Sequence, residues 1–163
     1  MQEIGAYNLF KNLIEFFQLQ HLILDHNVFE VHKMQTFPTL VKTTRLSMLS
    51  LNYCKIGDSG GVSLGESLPQ SSSMIDLRAK QCDFSDAAAK SLAVCLEENP
   101  ILERLDLSNN LINDAGGELL GISIQSNQNL KYLNLRKNNM RATSGAMFAK
   151  SMKENKTLKC LKL

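Results

Sequence analysis

No stretch of this chain approaches the roughly 18 consecutive apolar residues of a bilayer-spanning helix. Met1 is followed by Gln2 and Glu3 rather than by a basic segment and an apolar core. Neither secretion nor membrane insertion is expected. The formal net charge is only +2, too little for electrostatics alone to recruit nucleic acid. The four cysteines, Cys54, Cys82, Cys95 and Cys160, include no C-x-x-C pair and meet no histidine at ligand spacing, so no metal site is expected. Glycine pairs occur at Gly60-Gly61 and Gly116-Gly117, but without a Gly-x-Gly-x-x-Gly or Walker pattern around them. They are read as packing positions, and no phosphate cradle or cofactor is expected. Beside His21, His26 and His32 no serine or cysteine recurs as an activated nucleophile. No catalytic residue is assigned and a non-enzymatic role is expected.

What the chain does have is a register. Leu19, Leu46, Met74, Leu102, Leu130 and Leu158 open six copies of one pattern, at steps of 27, 28, 28, 28 and 28 residues. The fourth copy reads Leu102-x-x-Leu105-x-Leu107-x-x-Asn110, and Cys54 and Cys82 take the ninth position in the second and third. A step held that closely means a repeat solenoid. Alternation such as Leu105-Asp106-Leu107 is the period-two signature of a short strand with one buried face. Next come Ile56, Phe84, Ile112 and Met140, and then Asp58, Asp86 and Asp114, read as the N-caps of helices. The pairs Leu64/Leu68, Leu92/Leu96, Leu120/Ile124 and Phe148/Met152 lie four apart, on one helical face. Gly65, Ala93, Gly121 and Ala149 follow the first of each pair and are expected to let helices approach closely. Asn99, Asn127 and Asn155 are expected as left-handed helix C-caps. The thiols are expected to be reduced and buried, a Cys54–Cys82 disulfide being the alternative.

These residues resemble the leucine-rich-repeat family, and Ile112-x-Asp114-x-Gly116-Gly117 with its following helix resembles the ribonuclease-inhibitor-like subclass. The resemblance implies a curved α/β solenoid, or horseshoe, with a parallel β-sheet on the concave face and helices on the convex face. It also implies a non-catalytic scaffold that binds a protein partner, in the cytoplasm, with cytoskeletal or ciliary attachment compatible. Two other roles known for the repeat type stand as alternatives. One is GTPase activation or regulation, for which an acidic tail is missing here. The other is the ligand-sensing region of an innate immune receptor, for which a nucleotide-binding domain is missing.

On the inner wall the third, fifth, seventh and eighth positions of each copy should point away from the core. Tyr and Arg are enriched at interface anchors, which makes Tyr53, Arg78, Arg104, Tyr132 and Arg136, with Lys80 and Lys137, the candidate partner-binding residues. Their expected complement is an acidic or phosphorylated protein surface, with no nucleic acid or membrane. Pairing of Asp76 and Asp106 with Arg78 and Arg104 across strands is the competing use of these charges.

Residues 1–163 are expected to form one domain of about five full repeats with partial repeats at both ends. By subtraction of one period, Leu9 and Leu13 take the core helix positions, Gly5 and Ala6 the glycine pair, and Glu3 the place near the capping Asp. The last copy stops at Leu163, so a fragment or short isoform of a longer solenoid is expected, with self-association through the uncapped C-terminal edge. The first copy is degenerate: Val31 stands where other copies carry Asp, Lys33 and Met34 replace the glycine pair, and Pro38 falls inside its helical segment, which should be short or broken.

Overall fold

The computed structural model describes residues 12–13, 15–16, 18–29 and 37–163. Six three-residue strands, β1 (His21–Ile23), β2 (Met48–Ser50), β3 (Asp76–Arg78), β4 (Arg104–Asp106), β5 (Tyr132–Asn134) and β6 (Cys160–Lys162), form one parallel sheet in chain order. Between them run α1 (Phe37–Thr43), α2 (Gly57–Ser67), α3 (Asp86–Glu98), α4 (Asp114–Ser126) and α5 (Ala142–Glu154), with a 3-10 turn at Leu68–Gln70 after α2. The sheet is open, and strands spaced about 4.8 Å apart against helices spaced about 8–10 Å bend the solenoid with the sheet inside.

Strand register equals the repeat step. His21 pairs with Met48, Leu49 with Leu77, Leu77 with Leu105, and Leu105 with Leu133. The ladder runs past each strand, through Leu51 N to Arg78 O (2.8 Å) and Tyr53 N to Lys80 O (2.7 Å). To continue it while turning, the eighth residue of each of the first five copies adopts a left-handed backbone: His26, Tyr53, Gln81, Asn109 and Lys137 have φ of 53–63°. Each such non-glycine residue costs about 1 kcal/mol, which the ladder bond offsets.

The repeated leucines form one continuous core. Leu49, Leu77, Leu105 and Leu133 from the strands and Leu64, Leu92, Leu120 and Phe148 from the helices are all buried. Each contributes about 1.5–3 kcal/mol by leaving water. Met140, Met152, Leu158 and Leu161 are only partly buried, because repeat packing reaches them from one side. The expected close helix approach is present at Gly65, where an added Cβ would lie 2.7 Å from the Ser91 carbonyl oxygen, and at Gly121, 2.9 Å from Met147 Cγ. Ala149, at the equivalent position of α5, is exposed.

Two expectations about helix ends are corrected. Asp58, Asp86 and Asp114 do not cap their own helices; they lie in the first turn, and the N-cap residues Ile56, Ser85 and Asn113 make no side-chain cap bond. Each carboxylate instead reaches the next repeat. Asp58 accepts from Ser85 N (2.7 Å) and Ala88 N (3.3 Å), Asp86 from Asn113 N (2.8 Å) and Gly116 N (3.1 Å), and Asp114 from Arg141 N (2.8 Å) and Ser144 N (3.1 Å). Asn99, Asn127 and Asn155 are not left-handed, with φ of −85°, −65° and −67°. Their amides bridge repeats: Asn127 Nδ2 donates to Leu96 O (2.7 Å), while its Oδ1 accepts from Asn129 N (2.9 Å) and Leu130 N (2.7 Å).

The ninth position forms a parallel ladder. Asn110 Nδ2 donates to Ala79 O (2.9 Å), and in the copies with cysteine the thiol takes that part, Cys54 Sγ lying 3.0 Å from Leu24 O and Cys82 Sγ 3.0 Å from Leu51 O. All four cysteines are free, three of them buried. After the cysteines the next residues, Lys55 and Asp83, are also left-handed, unlike their counterparts after Asn27, Asn110 and Asn138. In the first copy α1 has seven residues with Pro38 in its first turn, where no internal N–H bond is lost. Leu13 packs against the core as expected. Glu3, Gly5, Ala6, Leu9, Val31, His32, Lys33 and Met34 lie outside the described residues.

Candidate functional site

Because every strand repeats one register, equivalent side chains stand in rows across the sheet. The third-position row is His21, Met48, Asp76, Arg104, Tyr132 and Cys160; the fifth is Ile23, Ser50, Arg78, Asp106, Asn134 and Lys162. Not all of the outward positions reach solvent. Ser50, Ser108 and Asn134 are buried, contrary to expectation, because neighbouring polar side chains cover them. Ser50 Oγ donates to Asp25 Oδ1 (2.6 Å), Ser108 Oγ to Asp106 Oδ1 (2.7 Å) and Asn134 Nδ2 to Asp106 Oδ2 (2.9 Å).

The aromatic candidates sit in cationic and aromatic stacks. Tyr53 and His26 share the left-handed backbone in adjacent copies, which lays their rings parallel, with centroids 4.4 Å apart and planes at 8°. Lys80 Nζ lies 5.0 Å from the Tyr53 centroid, and its interaction with Tyr53 raises the lysine's pKa. Arg104 Cζ lies 3.7 Å from the centre of the Tyr132 ring and Lys162 Nζ 5.2 Å from it, distances at which a cation is attracted to the ring face.

The carboxylates are engaged. Arg78 holds Asp76 within one strand, through Nε (3.1 and 3.2 Å) and Nη2 (2.7 Å), and this hydrogen bonding raises the Arg78 pKa. Arg104 Nε reaches Asp76 across the strand pair at 3.6 Å, an ion pair too long for a hydrogen bond, and this buried N–H has no other partner. The expected Asp76–Arg104 pairing across strands is therefore present. Asp106, expected to pair with arginine, is held by Ser108 and Asn134 instead. Arg136 and Lys137 are exposed and form no ion pair among the described residues.

All seven candidate residues thus lie on the sheet's inner face or the turns that continue it, with Arg78, Arg104 and Tyr132 in direct or one-removed contact. Lys162, His26 and Ile23 stand at outward positions of the repeat in the sequence but were not among the seven candidates. Lys162 could have been found as the diagonal neighbour of Tyr132 and His26 as the in-register neighbour of Tyr53; Ile23 had the signal of an apolar residue at an outward position. A shallow groove of about 660 Å³, lined by Asn113, Asp114, Ala115, Asn139, Met140 and Arg141, lies away from this face. Among the described residues no group of three or more His, Cys, Asp or Glu is placed to hold a metal ion, and no helix is long and apolar enough to cross a membrane.

A family model described as "Leucine Rich repeat" matches residues 46–65, 98–121 and 126–149. Among solved structures, leiomodin-1 actin-binding site 2 is similar with a TM-score of 0.67 and 22% identity, over 72% of this chain and 69% of that one. The tropomodulin C-terminal domain of Caenorhabditis elegans is similar with a TM-score of 0.73 and 12% identity, over 91% of this chain and 92% of that one. No curated protein matches the sequence. At these identities the likeness is one of fold.

Proposed function

This chain is a leucine-rich-repeat protein, and from that premise we propose that it is a non-catalytic module that holds a protein partner on its concave strand face, in a reducing compartment of the cell. The observation that carries this reading is the in-register wall itself, on which Tyr53, Arg78, Lys80, Arg104, Tyr132, Arg136 and Lys137 stand on one continuous surface. Such a wall presents many side chains to one large surface, and rigid Tyr and Arg side chains are the commonest anchors in protein interfaces. Four free thiols support the reducing compartment.

The fold shared with leiomodin-1 actin-binding site 2 makes actin the first partner to test. The experiment is co-sedimentation with actin, and affinity capture from lysate, of the chain beside a variant carrying Arg78→Glu, Arg104→Glu and Arg136→Glu, after circular dichroism shows that both fold. A partner retained by the parent and weakened at least about tenfold by the variant supports the concave face. Equal retention by both moves the interface to the helical back or the edges.

A further inference from the structure

Resting on the concave-face reading, we propose that the wall is graded along the solenoid and fits an acidic protein segment that also carries an apolar side chain, the acidic residues over β5 and β6 and the apolar one over β1.

The two ends differ in what they leave unsatisfied. At the β1 end Ile23 is 64% exposed, in register with Ser50 and at the same end of the wall as Met48 and the stacked His26 and Tyr53 rings. The one carboxylate there, Asp25, already accepts from Ser50 Oγ, Asn52 N (2.9 Å) and Asn52 Nδ2 (3.0 Å). It leaves an apolar and aromatic surface whose nearest free charge is Lys80, over the outer Tyr53 ring. In the middle Asp76 is neutralised by Arg78 and faces Arg104. At the β5–β6 end Arg136 and Lys137 are exposed without an anion, Lys162 lies beside Tyr132, and the nearest wall carboxylate, Asp106, is occupied by Ser108 and Asn134.

An isolated exposed isoleucine is ordinary on a protein surface. Here it shares one face with a set of unpaired cations, and the distance between them is set by the fold. Four strand spacings of about 4.8 Å separate β1 from β5, about 19 Å in all. An extended chain covers that with about six residues. Charge complementarity therefore selects acidic side chains at one end, and burial of Ile23 selects an apolar side chain about six residues away.

The test is selection of a random 16-residue peptide library displayed on phage against the wild-type chain, an Arg136→Glu/Lys137→Glu variant and an Ile23→Ser variant, each shown to fold by circular dichroism. The expected result is enrichment of peptides with two or more acidic residues about six positions from an apolar one. The acidic preference is lost on the first variant and the apolar preference on the second. A synthetic copy of the leading peptide should bind the first variant about tenfold more weakly by fluorescence anisotropy. Acidic enrichment that survives Arg136→Glu/Lys137→Glu, no fixed spacing, or no enrichment at all overturns the proposal. Peptides that lack the graded pattern but lose binding with Tyr132→Ala and Arg78→Glu discard the grading and keep the concave-face reading. Peptides indifferent to every wall variant discard both, and tighter binding of a 20-nucleotide oligo(dT) than of any peptide replaces the acidic segment with nucleic acid.

Discussion

Asp58 of one repeat accepts the backbone N–H of Ser85 in the next at 2.7 Å, so helix α3 is capped by its neighbour rather than by itself. The Ser85 hydroxyl also donates to the same carboxylate. The capping of α3, α4 and α5 is thereby a contact between repeats, and loss of one such residue weakens an interface as well as a helix end.

Replacement of Asp58 by Ala should therefore destabilise the fold by about 1–2 kcal/mol, the range of a lost N-cap. Replacement of the exposed Glu97 should stay within about 0.5 kcal/mol. Urea denaturation followed by circular dichroism measures both. A change for Asp58→Ala no larger than that for Glu97→Ala would show that the inter-repeat cap contributes nothing.

The same contacts predict an acid transition. Hydrogen bonds from the Ser144 hydroxyl and the Arg141 N–H lower the Asp114 carboxyl from 3.8 to about 2. Burial pushes Asp58 up, but the Ser85 hydroxyl, Ser85 N–H and Ala88 N–H outweigh it, and its net shift is also downward. A carboxyl lowered by folding stabilises the native state above its unfolded pKa and ceases to do so as pH falls through the folded value. Stability should thus be full above about pH 4 and decline toward pH 2. Asp114→Asn should flatten that decline in chemical denaturation series; an unchanged slope would remove Asp114 from the transition.

Asn127 is 4% exposed and serves three backbone groups, donating to Leu96 O and accepting from Asn129 N and Leu130 N. Asn127→Ala strands those groups in the interior, and stability should fall by about 2–4 kcal/mol. Asn127→Asp keeps the acceptor but loses the donor, and it should also destabilise. Thermal melts that place Asn127→Ala within a degree of wild type would contradict the buried bridge.

Burial raises Cys54 to about 11 and Cys82 and Cys95 to about 12. An acid raised by folding stabilises the native state fully below its unfolded pKa, so stability should decline as pH rises from about 9 toward 12. At neutral pH a thiol reagent should label the half-exposed Cys160 first. Four thiols should react after unfolding, and a count below four would reveal a disulfide.

The sequence by itself determined the parts of this protein that follow from periodicity. A constant step of 28 residues sets Leu49 opposite Leu77 and Leu77 opposite Leu105, and spacing by four sets Leu92 and Leu96 on one helical face. The rows of the concave wall follow from the same arithmetic, since side chains alternate along a strand, so the candidate surface was legible as a set of positions. What only the tertiary structure decided is which neighbour each polar group chooses. Asp58 looks like a cap for its own helix in one dimension, yet stacking brings Ser85 and Ala88 within its reach. Asn127 looks like a turn residue, yet stacking brings Leu96 O to it. Ser50 and Asn134 occupy outward positions but are covered by Asp25 and Asp106, and Asp76 rather than Asp106 collects the arginines. The reason is physical: apolar burial is non-directional and depends on pattern alone, whereas a hydrogen bond requires a partner at about 3 Å with the right angle, and in a solenoid that partner lies one repeat away in the chain.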